Sequence, residues 1–136
     1  MSLVPQTRNA PKATTYKWFE VTRRGTLRSP VVNTSYPYKR RQWSDYRKKV
    51  EMCSTGWHVW NTLKTAKNNR HQYWRDRMQL WQVEIENPHN ADSEWQDERP
   101  AKPSDFKGNK KLVGTRIRLI RLIIDETKPY GHPLNP

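Results

Sequence analysis

The 136-residue chain has a single cysteine, five glycines, half as many acidic as basic residues, and no long apolar run. Cys53 cannot close an internal disulfide, which excludes a secreted disulfide scaffold. None of the glycines stands in a GxxxxGK or GxGxxG frame, so the phosphate-cradling loops of the common nucleotide-binding folds are missing. Neither a GxSxG elbow nor an HExxH helix occurs. The longest apolar stretch, Leu119 to Ile124, is interrupted by Arg121 and falls far short of a bilayer span. Met1-Ser2-Leu3-Val4-Pro5-Gln6 lacks the basic-then-apolar layout of a signal peptide. No internal repeat is visible. The expectation left is a soluble intracellular protein without a membrane partner, or one assembled inside a particle.

Hydrophobic residues make up only 33% of the chain and charged residues 29%, a balance that leans toward disorder. Seven Trp, six Tyr and two Phe pull the other way, because each ring buries a large area at one position. A small core built on aromatics follows. Lys and Arg number 26 against 13 Asp and Glu, giving a net charge of +13 and a pI near 10.2. Residues 1–77 hold 17 of the cations and only 4 of the acids, so the basic surface belongs mainly to that half. A charge this large on a short chain attracts polyanions.

Residues 1–14, with Pro5 and Pro11 and no periodicity, are expected to form an extended arm. Tyr16 to Thr22 is aromatic and β-branched, which suits a strand, and Arg23-Arg24-Gly25 a turn. Thr26 to Val32 reads as a weaker strand, held to an edge by Pro30. Residues 33–50 are expected to wrap the core. Cys53 to Trp60 reads as a turn, with Gly56 in an awkward backbone angle. Asn61 or Thr62 can cap a following helix, in which Leu63, Ala66, Arg70 and Trp74 form a weak apolar stripe. Gln79 to Glu86 is the clearest strand, with Trp81, Val83 and Ile85 alternating against Gln82, Glu84 and Glu86. Residues 87–108 read as a long acidic loop. Leu112 to Ile124 forms a last strand with a bulge at Leu119-Ile120. The 127–136 segment is an irregular tail. The expected fold class is α+β. It is a small single domain over residues 15–126, an antiparallel or mixed sheet packed against one main helix, with extended Pro-rich termini. Trp57, Trp81, Val83, Ile117 and Leu119 are expected to be buried together.

Cys53 and His58 suggest a thiolate activated by imidazole, or half a metal site. The other histidines, His71, His89 and His132, are scattered, and a structural zinc needs four converging ligands. The pair is therefore read as structural, with no metal, no cofactor and no catalytic residue assigned. Glu84 and Glu86 share a strand face; beside so basic a domain their role is pairing with Arg or Lys rather than acid–base chemistry. Lys39, Arg40, Arg41 and Trp43, then Arg47, Lys48 and Lys49, interleave cations with rings. The helix region adds Arg70, Arg75 and Arg77. Cations neutralise phosphates and exposed rings stack on unpaired bases, so these ten residues form the candidate nucleic-acid-binding set.

Cys53-x-x-Gly56-Trp57-His58 resembles a motif of small uncharacterised bacterial and phage proteins. In those proteins a Tyr-Lys start precedes a Gly-Arg-Ser-Pro-like segment, matched here by Tyr16-Lys17 and by Gly25 to Pro30. A Trp matched by Trp43 precedes the motif. A Leu-Trp-x-Val-Glu strand follows, here Leu80 to Glu84, and a final strand matched by Lys111 to Leu119. The similarity runs from Tyr16 to Ile123. It departs between His58 and Leu80 and in the 87–108 loop, both longer here. The resemblance implies a fold unit and a bacterial or phage origin, in the cytoplasm or inside a phage particle, but no activity. Three readings follow. The first is a basic nucleic-acid-binding accessory protein, docked on DNA or RNA within a larger nucleoprotein assembly. The second is a structural component of a virion or similar assembly. The third, ranked below both, is a motif-poor nucleotide-handling transferase using His58 and Glu84.

Overall fold

The computed structural model describes residues 2–7, 9–30, 35–36, 41–50, 56–90 and 99–127. Along the chain these form β1 (Ser2–Leu3), β2 (Lys12–Val21), β3 (Leu27–Arg28), β4 (Ser35–Tyr36), β5 (Lys49–Val50) and β6 (Trp57–Trp60). Helix α1 (Leu63–Asn68) is followed by β7 (Met78–Glu86), β8 (His89–Asn90), β9 (Arg99–Pro100), β10 (Lys111–Gly114) and β11 (Arg116–Asp125). Short 3-10 turns lie at Arg70–Gln72 and Pro103–Phe106.

Alternation along β7 lays out the sheet. Trp81, Val83 and Ile85 point to one face, and Gln82, Glu84 and Glu86 to the other. On one side β7 pairs with β2, from Lys12↔Glu86 to Glu20↔Met78. On the other it pairs with β11, from Arg116↔Glu86 to Asp125↔Gln79. The antiparallel order is β11-β7-β2-β6-β10-β8-β9, with β3 and β4 added beside β2 and a separate β1–β5 pair. Because β10 and β11 are separated only by Thr115, the path β11-β7-β2-β6-β10 returns on itself.

One core fills the curl. Phe19 and Val21, Trp57 and Val59, Trp81, Val83 and Ile85, Leu112, Ile117 and Leu119 are buried in a single cluster. It includes all five residues expected to be buried together. The corner at Thr115 depends on Gly114, where a Cβ would lie 2.8 Å from Ile85 Cβ and 2.9 Å from the Glu86 carbonyl oxygen. Thr115 N donates to that same carbonyl at 2.8 Å, fixing the bend against the end of β7.

The outer face carries a second cluster of Trp18, Trp60, Ala66, Met78 and Leu80. Helix α1 seats there, with Trp18 Nε1 donating to the Ala66 carbonyl at 2.7 Å. Thr62 caps it, its Oγ1 accepting from Thr65 N at 3.1 Å.

The protein is thus a small single domain with a large antiparallel sheet and little helix. The expected main helix is corrected to six residues. Two adjacent asparagines, Asn68 and Asn69, favour a stop, and the Asn69 side chain bonds back to the Thr65 carbonyl at 2.8 Å. Beyond Ala66 the supposed stripe offers only Arg70 and Trp74, and Trp74 points away from the core. Trp57 to Trp60, expected as a turn, forms strand β6. Gly56 before it has φ +93°, an angle that residues other than glycine rarely adopt, in keeping with the awkward angle expected there. The last strand is broken at Thr115, and its register shifts between Leu119 and Arg121, at the expected bulge, and again between Leu122 and Ile124.

Within the first 14 residues, Ser2–Leu3 pairs with Lys49–Val50 and Lys12 opens β2. Residues 41–47 run along the outer edge of β11. Arg41 N, Ser44 N and Arg47 N donate to the carbonyls of Leu119, Ile117 and Thr115. In the 87–108 stretch, residues 91–98 lie outside the described residues. Their flanks are tied by Asp105, which accepts from Arg99 Nη1 (2.8 Å), Lys102 N (2.8 Å) and Asn90 Nδ2 (2.9 Å). The Arg99 hydrogen bonds, foremost among these, hold the Asp105 carboxyl down at about 2.

Candidate nucleic-acid interface

Internal pairing consumes most of the described acids. Glu20 binds Arg28 and Arg75 (3.1 Å to the latter), Glu84 binds Arg118 (2.5 Å) and Glu86 binds Arg116 (2.5 Å). Glu126 binds Arg70 (2.7 Å) and Asp105 binds Arg99 (2.8 Å). Glu84 and Glu86 therefore pair with arginines, as their setting suggested, though Glu86 is buried rather than solvated. Among the described residues, the exposed cations outside these pairs include two groups, besides Lys12, Lys102, Lys107 and Arg121.

The first lies along β11. The ladder of residues 41–47 on that strand leaves Arg41, Arg47 and Lys48 exposed. Lys49 pairs through its backbone in β5, while Lys39 and Arg40 lie outside the described residues. Trp43 is half-buried, its ring 4.7 Å from the guanidinium carbons of both Arg116 and Arg118. It packs over the two ion pairs with Glu86 and Glu84 as a structural lid. Arg47 lies 5.9 Å over the Trp57 ring and keeps its charge at the surface.

The second surface is the end of the sheet where β2 leaves for β3. Thr22 N donates to the Thr26 carbonyl (2.9 Å) and Gly25 N to the Thr22 carbonyl (2.9 Å). Gly25, at φ +83°, completes this turn and leaves Arg23 and Arg24 exposed at its tip. Val21 N donates to the Arg77 carbonyl at 2.7 Å, which sets the tip beside the loop of residues 73–77. Arg77 is exposed, Arg75 is held by Glu20, and Arg70 is turned inward toward Glu126. Lys64 and Lys67 are exposed on α1. Along β11 the second surface, beside Asp125, lies about 20 Å from the Arg41 contact at Leu119 and about 33 Å from the Arg47 contact at Thr115.

The predicted set is thus divided. Arg41, Arg47 and Lys48 share one surface, and Arg75 and Arg77 the other. Arg70 is paired with Glu126, and Trp43 packs against Arg116 and Arg118. Arg23 and Arg24, which were not in the predicted set, are exposed as well, and the Arg23-Arg24-Gly25 turn already put two cations at a tip.

A further cation is buried. Lys17, on the inner face of β2, donates from Nζ to the His58 carbonyl at 2.6 Å and lies 5.6 Å from the Phe19 ring centroid. Burial, with the nearby Lys111 charge adding to it, lowers its pKa from 10.5 to about 7. The unfolded chain then binds more protons between about pH 7 and 10.5, so this group makes stability rise with pH across that window and penalises folding below it. Lys17→Met should raise the melting temperature at neutral pH and flatten its rise toward pH 10.5, read from melts across that range. A variant curve parallel to the wild type would contradict this.

His58 is half-buried in β6, and Cys53 lies outside the described residues. Among the described residues no three His, Cys, Asp or Glu side chains converge as metal ligands. No helix among them is long and apolar enough to cross a membrane. In comparison with known proteins, the chain matches no family model, no curated protein and no solved structure.

Proposed function

We propose that this chain is a small basic nucleic-acid-binding accessory protein that works within a larger nucleoprotein assembly. Its motif resemblance supports a bacterial or phage setting, in the cytoplasm or inside a particle. The supporting observation is the distribution of unneutralised charge. Glu20, Glu84, Glu86, Asp105 and Glu126 are committed to internal arginines, while Arg23, Arg24, Arg41, Arg47, Lys48, Lys64, Lys67 and Arg77 stay exposed. Two such surfaces, about 20–33 Å apart along β11, suit a polyanion that runs across several strands. Phosphate neutralisation releases condensed counterions, so affinity and its salt dependence carry the same information.

The double variants Arg23→Ala/Arg24→Ala and Arg47→Ala/Lys48→Ala test this. Each removes about two phosphate contacts, so each should weaken binding and make the slope of log affinity against log salt shallower by about 1–2. The loss should be shared by all sequences, because phosphate contacts carry no sequence information. Wild-type affinity and slope in both variants would overturn the assignment of these surfaces.

A further inference from the structure

Among the described residues, the large hydrophobic side chains left exposed are Leu3 and Trp74, and Trp74 is 90% exposed. Trp is rarely left in water, because its ring offers so much apolar area to bury. Here the exposure is built into the backbone. Arg70 Nη1 donates to the Tyr73 carbonyl at 3.0 Å and Nη2 to the Arg75 carbonyl at 2.8 Å. One guanidinium thus holds the carbonyls of the two residues that flank Trp74. Arg70 is itself fixed by Glu126 Oε1 at 2.8 Å from Nε and by the Trp18 ring at 5.3 Å. Next to the clasp, the Tyr73 hydroxyl accepts from Trp60 Nε1 at 3.0 Å, and Arg75 pairs with Glu20 at 3.1 Å. The loop is therefore secured against the outer-face cluster and to the carboxylates of Glu20 and Glu126, and the indole projects from it.

The surroundings favour one kind of occupant. Arg77 is three residues away, and its carbonyl bond to Val21 N brings the Arg23-Arg24 tip alongside. A flat, exposed apolar face, with the exposed Arg77 and the Arg23-Arg24 tip on neighbouring segments, matches a base with its flanking phosphates. A paired base inside a duplex already has both faces covered, whereas an unpaired base has a face to offer. Resting on the nucleic-acid reading above, we infer that Trp74 is a stacking platform that selects single-stranded segments, with Arg23, Arg24 and Arg77 holding the adjacent backbone. Arg70 is the positioning residue, acting through the two carbonyls it holds.

The test measures binding of the full chain to an oligothymidylate and to a random-sequence duplex of equal length, at one low salt concentration. Trp74→Ala should weaken oligothymidylate binding by roughly 5- to 150-fold, the range for loss of one stacked base, and leave duplex binding within about twofold. Trp74→Tyr, which keeps a stacking face, should retain most of the single-strand affinity. Thermal melts of both variants should match the wild type, since the ring is exposed. Unchanged oligothymidylate binding in Trp74→Ala would overturn the stacking role while leaving the phosphate reading intact. Equal losses on both probes would overturn the single-strand preference. Failure of the wild type to bind either probe would remove the nucleic-acid reading itself, and this inference with it.

Discussion

Trp81→Ala should lower folding stability by about 3–5 kcal/mol, the range for emptying a large aromatic site in a packed core. Trp81 is 2% exposed, on the central strand β7, and packs in a cluster that draws on β2, β3, β6, β7, β10 and β11. Its indole Nε1 also donates to Gln79 Oε1 at 3.0 Å, a hydrogen bond that the variant loses. A loss of this size is a large share of a small domain's total stability. Equilibrium denaturation reads it directly. A variant within about 1 kcal/mol of the wild type would mean that Trp81 does not hold the strands together.

Arg116→Ala should cost a comparable amount, about 3–5 kcal/mol, for a different reason. Arg116 Nη2 lies 2.5 Å from Glu86 Oε2, and Glu86 is 2% exposed at the corner where β7, β10 and β11 meet. Removing the guanidinium strands a buried carboxylate, and Trp43 loses one of the two cations against its ring. Arg116→Lys keeps the charge but loses the planar fork and the stacking, so it should recover only part of the loss. The double variant Glu86→Leu/Arg116→Met removes both charges at similar volume and should recover most of it. A loss below about 1 kcal/mol for Arg116→Ala would place the pair with ordinary surface ion pairs.

The sheet was legible where one face is apolar and the other polar. Trp81 to Glu86 shows that alternation, while Met78 and Leu80 make the other face apolar at the start of the strand; its boundaries differ from the sequence reading by one residue. The Thr62 cap and the bulge after Leu119 followed from local chemistry in the same way. Strand β6 was not legible because both its faces are covered. Trp57 and Val59 enter the inner core and Trp60 the outer cluster, so four residues show no alternation. The start of β2 reads as an arm because Lys12 and Thr14 are exposed and only their backbone pairing with Glu86 and Glu84 makes them a strand. Among the candidate ligands, sequence shows how many cations there are but not which acids will take them. Arg70 and Arg75 look free in sequence, yet Glu126 and Glu20 claim them from distant segments. Trp43 and Trp74 look alike as rings among cations. Only tertiary structure separates the ring laid under Arg116 and Arg118 from the one held out in solvent.

The central claim is that the cations outside the internal ion pairs bind nucleic acid. The most direct measurement is an equilibrium titration of the full chain with duplex DNA, single-stranded DNA and RNA, each repeated across a salt series. If roughly four to six phosphates are neutralised, binding at low salt should be clear. Log affinity should then fall against log salt with a slope of about −3 to −5. Flat titrations at low salt with all three nucleic acids would contradict the account.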